Sequence, residues 1–203
     1  MDTGLEIPGE VQYPSYPVLV PPVHPTPRRT LYLSNLDDQR FLRFSIKYLY
    51  VFPAAAAVPA AALRAALAGA LVEYYPLAGR LRHGDEEGKL AVECNAEGAL
   101  FAEGSLPGLA AADFLRGGGA RPHRSWRKLL YRVDAHSFVA VPPLVVQVSV
   151  VAATLLCFSA LDQLINEYYL FFFTNEFLSE QRSVLSYTKF ILQNFPSQIA
   201  CID

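Results

Sequence analysis

The side chains in this sequence that could do chemistry are few: four histidines, three cysteines and one concentrated run of acids. His83-Gly-Asp-Glu-Glu87 spells HxxxE, a spacing that would suit an acid/base pair or two metal ligands if it lay on a helix. Its glycine and consecutive acids instead mark a polar hairpin turn, and the reading adopted is a solvated charge cluster. Asp134-Ala-His136 sets two titratable groups on one side of a possible strand, without a third group to complete a site. His24 and His123 stand beside prolines and read as ordinary surface residues. Cys94, Cys157 and Cys201 are widely spaced with no CxxC, which suits a reducing compartment and neither a disulfide framework nor a zinc site. There is no GxSxG, Walker or GxGxxG motif, and the GGG at 117–119 follows no strand, so it reads as a surface loop.

The totals narrow the classes further. With 52% hydrophobic residues, 18% charged and a formal net charge of -2, the chain can bury a core. It carries no basic run that would follow a phosphate backbone, so no nucleic-acid partner is expected. The opening MDTGLEIPGE has acids and a proline where a secretory leader needs a basic start and an apolar run, and the expected location is cytoplasmic. Nothing in the sequence sets an oligomeric state.

The elements that would position any site follow from periodicity. Val11 to Arg29 is punctuated by proline and reads as an extended lead-in, since each ring fixes φ and removes a donor. Arg43 to Phe52 alternates like a half-buried strand. Pro59 opens a helix carrying Leu63, Leu67, Leu71 and Tyr74 at helical spacing, and Pro76 stops it by excluding the α conformation for Tyr75. Gly79 then permits a tight change of direction into Arg80–His83. GDEEG turns into KLAVEC and NAEG into ALFAEGSL, which together predict a short antiparallel meander. SWRKLLYRV is ambiguous between helix and strand, and LVVQV reads as a buried strand. The fold class is α/β (mixed α+β), not a doubly wound parallel sheet.

Four blocks of these residues resemble one family. LYLSNLDD (31–38), VEYYPLAGRL (72–81), KLAVECNAEGALF (89–101) and VPPLVVQV (141–148) are similar, in order and spacing, to the N-terminal portion of plant BAHD acyl-CoA-dependent acyltransferases, leaning toward the hydroxycinnamoyl transferases. The resemblance covers most of residues 18–148. It implies half of a chloramphenicol-acetyltransferase-like fold, a mixed sheet with flanking helices. It also implies acyl-CoA as co-substrate, with no bound cofactor, and an alcohol or amine as small-molecule acceptor. In the family a His of an HxxxD motif is the general base, and a DFGWG motif lies in the second domain. Neither motif is present. The expected His falls near Leu164 or Ile165, and no histidine follows His136. No catalytic, cofactor-binding or metal residue is therefore assigned in this chain.

The composition changes at the same place. All twelve glycines and all but one of the fifteen prolines precede Val148, while the last 55 residues hold only Arg182 and Lys189 as bases. The expected organisation is an incomplete acyltransferase-like domain over 1–148 and an unrelated apolar, aromatic tail over 149–203. Val148-Ser149 is a possible translation of GTGAGT, a common plant splice-donor sequence, which makes the tail an expected intron read-through and the product truncated and inactive. Two other readings are a non-catalytic half-domain that binds a partner and a membrane-associated product through residues 144–173, where 144–161 is an uncharged run. No basic flank accompanies that run, which makes membrane attachment the minor reading. Loss of the strand due after LVVQV would strand backbone groups at ~1 to 3 kcal/mol each, unless VVAATLLCFSAL takes its place. Tyr168–Phe173, YYLFFF, reads as an aggregation-prone segment. Sequencing the spliced transcript across the codon for Val148 is expected to show family sequence in place of the tail. An uninterrupted cDNA carrying the tail as its major form would overturn that expectation.

Overall fold

The computed structural model describes residues 6–7, 9–35, 38–40, 43, 46–51, 59–107, 109, 124–134, 137–150, 154–160 and 198–202. In chain order the described elements begin with β1 (Val18–Val20), β2 (Thr30–Tyr32), β3 (Ile46–Val51) and α1 (Ala60–Glu73). They continue with β4 (Arg80–His83), β5 (Leu90–Glu93), β6 (Ala99–Ser105), β7 (Leu144–Val150), β8 (Thr154–Ala160) and β9 (Gln198–Ile202). Short 3₁₀ turns cover Tyr75–Ala78 and Arg124–Leu129, the second resolving the ambiguity of SWRKLLYRV.

The proline-rich lead-in is extended. Its β1 pairs antiparallel with β6, placing Val18 opposite Phe101, and further upstream Gln12 exchanges both backbone hydrogen bonds with Ser105. The strands form a six-stranded sheet in the order β1-β6-β7-β8-β3-β9 and a three-stranded sheet in the order β2-β5-β4. Among the described strands every pairing is antiparallel except β6 with β7. The chain is mixed α/β.

The predicted meander is corrected here. β4 and β5 form an antiparallel hairpin in the small sheet, but β6 leaves them and joins the large one. The reason lies in Asn95–Gly98, where Ala96 (φ 56) and Gly98 (φ 107) adopt left-handed backbone and redirect the chain. Left-handed geometry costs an L-residue ~1 to 2 kcal/mol, and glycine escapes the penalty. A Cβ on Gly98 would also meet the Val20 carbonyl group at 2.6 Å.

The helix covers the large sheet. Leu63 and Leu67 pack on Val20, Phe101, Val146 and Val148, and Leu71 packs with Ala78 and Ala99. Pro59 sits one position before the first helical residue, where its carbonyl accepts the Ala62 and Leu63 N–H groups. At the other end α1 stops at Glu73, and Pro76 occupies the early part of the 3₁₀ turn, where a missing donor costs nothing. Tyr75 turns toward the second core, made by Leu81, Val92 and Cys94, and its hydroxyl accepts from Arg29. Gly79 differs from expectation: its φ of -89° is ordinary, and what demands glycine is space, since a Cβ would lie 2.4 Å from the Glu93 carbonyl oxygen.

Arg80, only 6% exposed, follows directly. Its Nη1 donates to the carbonyls of Gly79 (2.6 Å) and Gly98 (2.8 Å), and its Nε lies 3.0 Å from Glu97 Oε2.

β7 runs without a break through Val148 and Ser149 to Val150, and β8 lies along its other edge with Gln147 opposite Cys157. The described part of the 144–161 apolar run is thus β-strand. Among the described residues no helix is long and apolar enough to cross a membrane. YYLFFF lies outside the described residues.

Gly98→Ala is expected to lower stability by about 2 to 4 kcal/mol, because it adds both backbone strain and a main-chain clash. Gly69→Ala, in the exposed face of α1 with nothing within 4 Å of its would-be Cβ, is expected to raise it by about 0.5 to 1 kcal/mol. Urea unfolding of the two variants measures both changes.

Candidate functional site

The residues singled out by sequence do not converge. His83 is exposed at the end of β4. Asp85 in the following turn accepts a hydrogen bond from Tyr32 Oη at 2.7 Å, which ties β2 to the hairpin and raises the Tyr32 phenol above its usual range. Glu86 pairs with Lys89 at 3.1 Å. The acidic turn is therefore a strand-to-turn tie and an outward ion pair. His24 and Asp134 are exposed, while His123, His136, the GGG at 117–119 and Leu164 and Ile165 lie outside the described residues. Cys94 is buried in the small-sheet core, and burial pushes its thiol up to about 11, so it is no nucleophile at neutral pH. Cys157 and Cys201 lie on β8 and β9.

The geometry instead gathers polar groups around Gln147, which the sequence presents only as one residue of the buried strand LVVQV. Gln147 is 2% exposed on β7. Its Nε2 donates to the Leu129 carbonyl (2.7 Å) and to Ser149 Oγ (2.6 Å). Its Oε1 accepts from Tyr13 Oη (3.2 Å) and from the Tyr131 N–H. Two donors and two lone pairs are all used, as a buried amide requires. Gly104 on β6 leaves the necessary room, for a Cβ there would stand 2.7 Å from Ser149 Oγ. The available signal was an amide flanked by β-branched residues in a strand with no solvent face.

This amide holds two distant segments together. Tyr13 and Tyr131 meet edge to face at 5.2 Å between ring centroids, and the Ile7 N–H donates to Ser125 Oγ at 2.8 Å. Between the lead-in and the 124–132 segment an open cleft of about 810 Å³ remains. Glu10 and Tyr13 line it from one segment, and Arg127, Lys128, Tyr131 and Arg132 from the other. Among the described residues the lining holds neither histidine nor cysteine. Chemically it can hold an anion and can supply phenol or guanidinium donors.

The four sequence blocks fall on both sheets: LYLSNLDD begins on β2, VEYYPLAGRL runs from α1 into β4, KLAVECNAEGALF from β5 into β6, and VPPLVVQV into β7. The profile of the Transferase family matches residues 16–159, and the chain belongs to that family, the BAHD acyltransferases. It is 47% identical over 94 residues to alcohol acyl transferase 1 allele GSa of Malus domestica, covering 44% of this chain and 20% of that protein. It is 50% identical over 94 residues to spermidine hydroxycinnamoyltransferase 1 of Oryza sativa subsp. japonica, covering 43% of this chain and 21% of that protein. Crystalline vinorine synthase aligns with 20% identity and a TM-score of 0.48, covering 74% of this chain and 37% of its own. The chain thus matches about a fifth of the length of these curated relatives.

Gln147→Ala is expected to cost about 2 to 4 kcal/mol, since it strands the Leu129 carbonyl and Tyr131 N–H away from water at ~1 to 3 kcal/mol each. A shift of the urea midpoint with an unchanged slope measures the loss.

Proposed function

We propose that this chain is the amino-terminal part of an acyltransferase that moves an acyl group from an acyl-CoA to an alcohol or amine. The carrying observation is the family match across residues 16–159. Relatives whose names specify an alcohol acceptor and a hydroxycinnamoyl donor both support the class, and they leave the acceptor at the level of alcohol or amine. In such a reaction the acceptor oxygen or nitrogen attacks the thioester carbonyl, the carbon–sulfur bond breaks, and the acceptor's proton passes by way of a base to the departing thiolate. The oxyanion formed on the way needs fixed donors.

The chain's own contribution is the β6–β7 core and the helix packed on it. It encodes no histidine after His136, and so none in the stretch beyond β7 where the family places its base. The 203-residue polypeptide alone is on this reading inactive.

Purified chain is therefore expected to form no ester or amide above the solution background when given p-coumaroyl-CoA or acetyl-CoA with a fatty alcohol or with spermidine. Product formed well above that background would overturn the assignment of inactivity and require a base other than the family's histidine.

A further inference from the structure

The cleft beside Gln147 is not used by the acyl-transfer reading, and its lining has a chemistry of its own. Arg127, Lys128 and Arg132 present three cations from one short segment, and among the described lining residues Glu10 is the single carboxylate. Lys128 and Arg132 are exposed and have no hydrogen bond or ion pair among the described residues.

The segment that carries them is held in place. Leu129 and Leu130 are buried at 0% and 4% exposure, Gln147 takes up the Leu129 carbonyl and Tyr131 N–H, and Ser125 accepts from Ile7. Like charges gathered on a fixed backbone repel one another, and an anion seated between them relieves that repulsion. Guanidinium groups present a planar fork matched to phosphate oxygens, and an ammonium adds a point charge. The half-buried rings of Tyr13 and Tyr131 give the same cleft an apolar wall. Its volume of about 810 Å³ falls within the usual range for a small-molecule site.

We infer that this cleft binds a small phosphate-bearing molecule, with Lys128 and Arg132 pairing its charge and Tyr13 and Tyr131 forming the apolar wall. Glu10 opposes the bound charge. Two sources share this chemistry, a free di- or polyphosphate and the phosphates of a nucleotide.

Isothermal titration of the full 203-residue chain with pyrophosphate, with ADP and with citrate tests the inference. Saturable binding of pyrophosphate or ADP is expected, weakened about tenfold or more in Lys128→Gln/Arg132→Gln and strengthened in Glu10→Gln. Both substituted sites are exposed, and an unchanged urea midpoint shows that the variants fold. Comparable binding of the two phosphates identifies the phosphate group alone as the determinant, and preference for ADP identifies a nucleotide. The inference is overturned if neither phosphate saturates, if the double variant binds as tightly as the parent, or if citrate binds equally well. Ester formation is read separately, so failure here leaves the acyl-transfer reading standing.

Discussion

A guanidinium withdrawn from water must be met by acceptors in the right places, and Arg80 meets this condition where three pieces of the chain converge. Its two carbonyl partners belong to Gly79, at the exit from the helix, and to Gly98, at the crossing from the small sheet to the large one. Burial lowers its pKa and Glu97 opposes that shift, so the charge is held at the boundary of the interior by one half-exposed carboxylate and two peptide groups. Neither glycine has room for a Cβ, which would collide with Glu93 at Gly79 and with Val20 at Gly98. The exit from α1, the start of β4 and the start of β6 are therefore one interlocked unit, and the seat of Leu71 between Ala78 and Ala99 depends on it.

A second buried polar group does comparable work within the large sheet, on β7. Gln147 uses its whole hydrogen-bonding capacity to bring residues 13 and 131 onto β7, and the cleft exists because those segments meet without closing. Both devices place a polar side chain inside an apolar layer and satisfy it with backbone. An apolar substitute of similar size would fill the space but would leave the partner carbonyls unmet.

Much of the local structure was legible. The Leu63, Leu67, Leu71 stripe and the prolines at 59 and 76 delimit α1, and LVVQV and ALFAEGSL are strands as their β-branched and alternating residues require. What periodicity does not carry is the choice of partner. NAEG reads as a hairpin turn between two strands, yet left-handed Ala96 and Gly98 send β6 into another sheet, where it lies parallel to a strand some forty residues away. The roles of Arg80 and Gln147 were hidden for the same reason, since each is fixed by neighbours distant in sequence. The acidic turn failed as a site on simpler grounds: Asp85 and Glu86 already have Tyr32 and Lys89 as partners.

The strand order β1-β6-β7-β8-β3-β9 also bears on how the chain reaches this state. Apart from the run β6-β7-β8, no two neighbours in that sheet are consecutive strands of the polypeptide, and β3 must wait for β8 and β9, about 100 and about 150 residues later. Closing such long loops precedes any reward from the contacts, so assembly is slow, while the β4–β5 hairpin and α1 can form early. During that interval the apolar strands are unpartnered on a ribosome-bound or newly released chain, the state in which chaperone capture and self-association compete with productive folding.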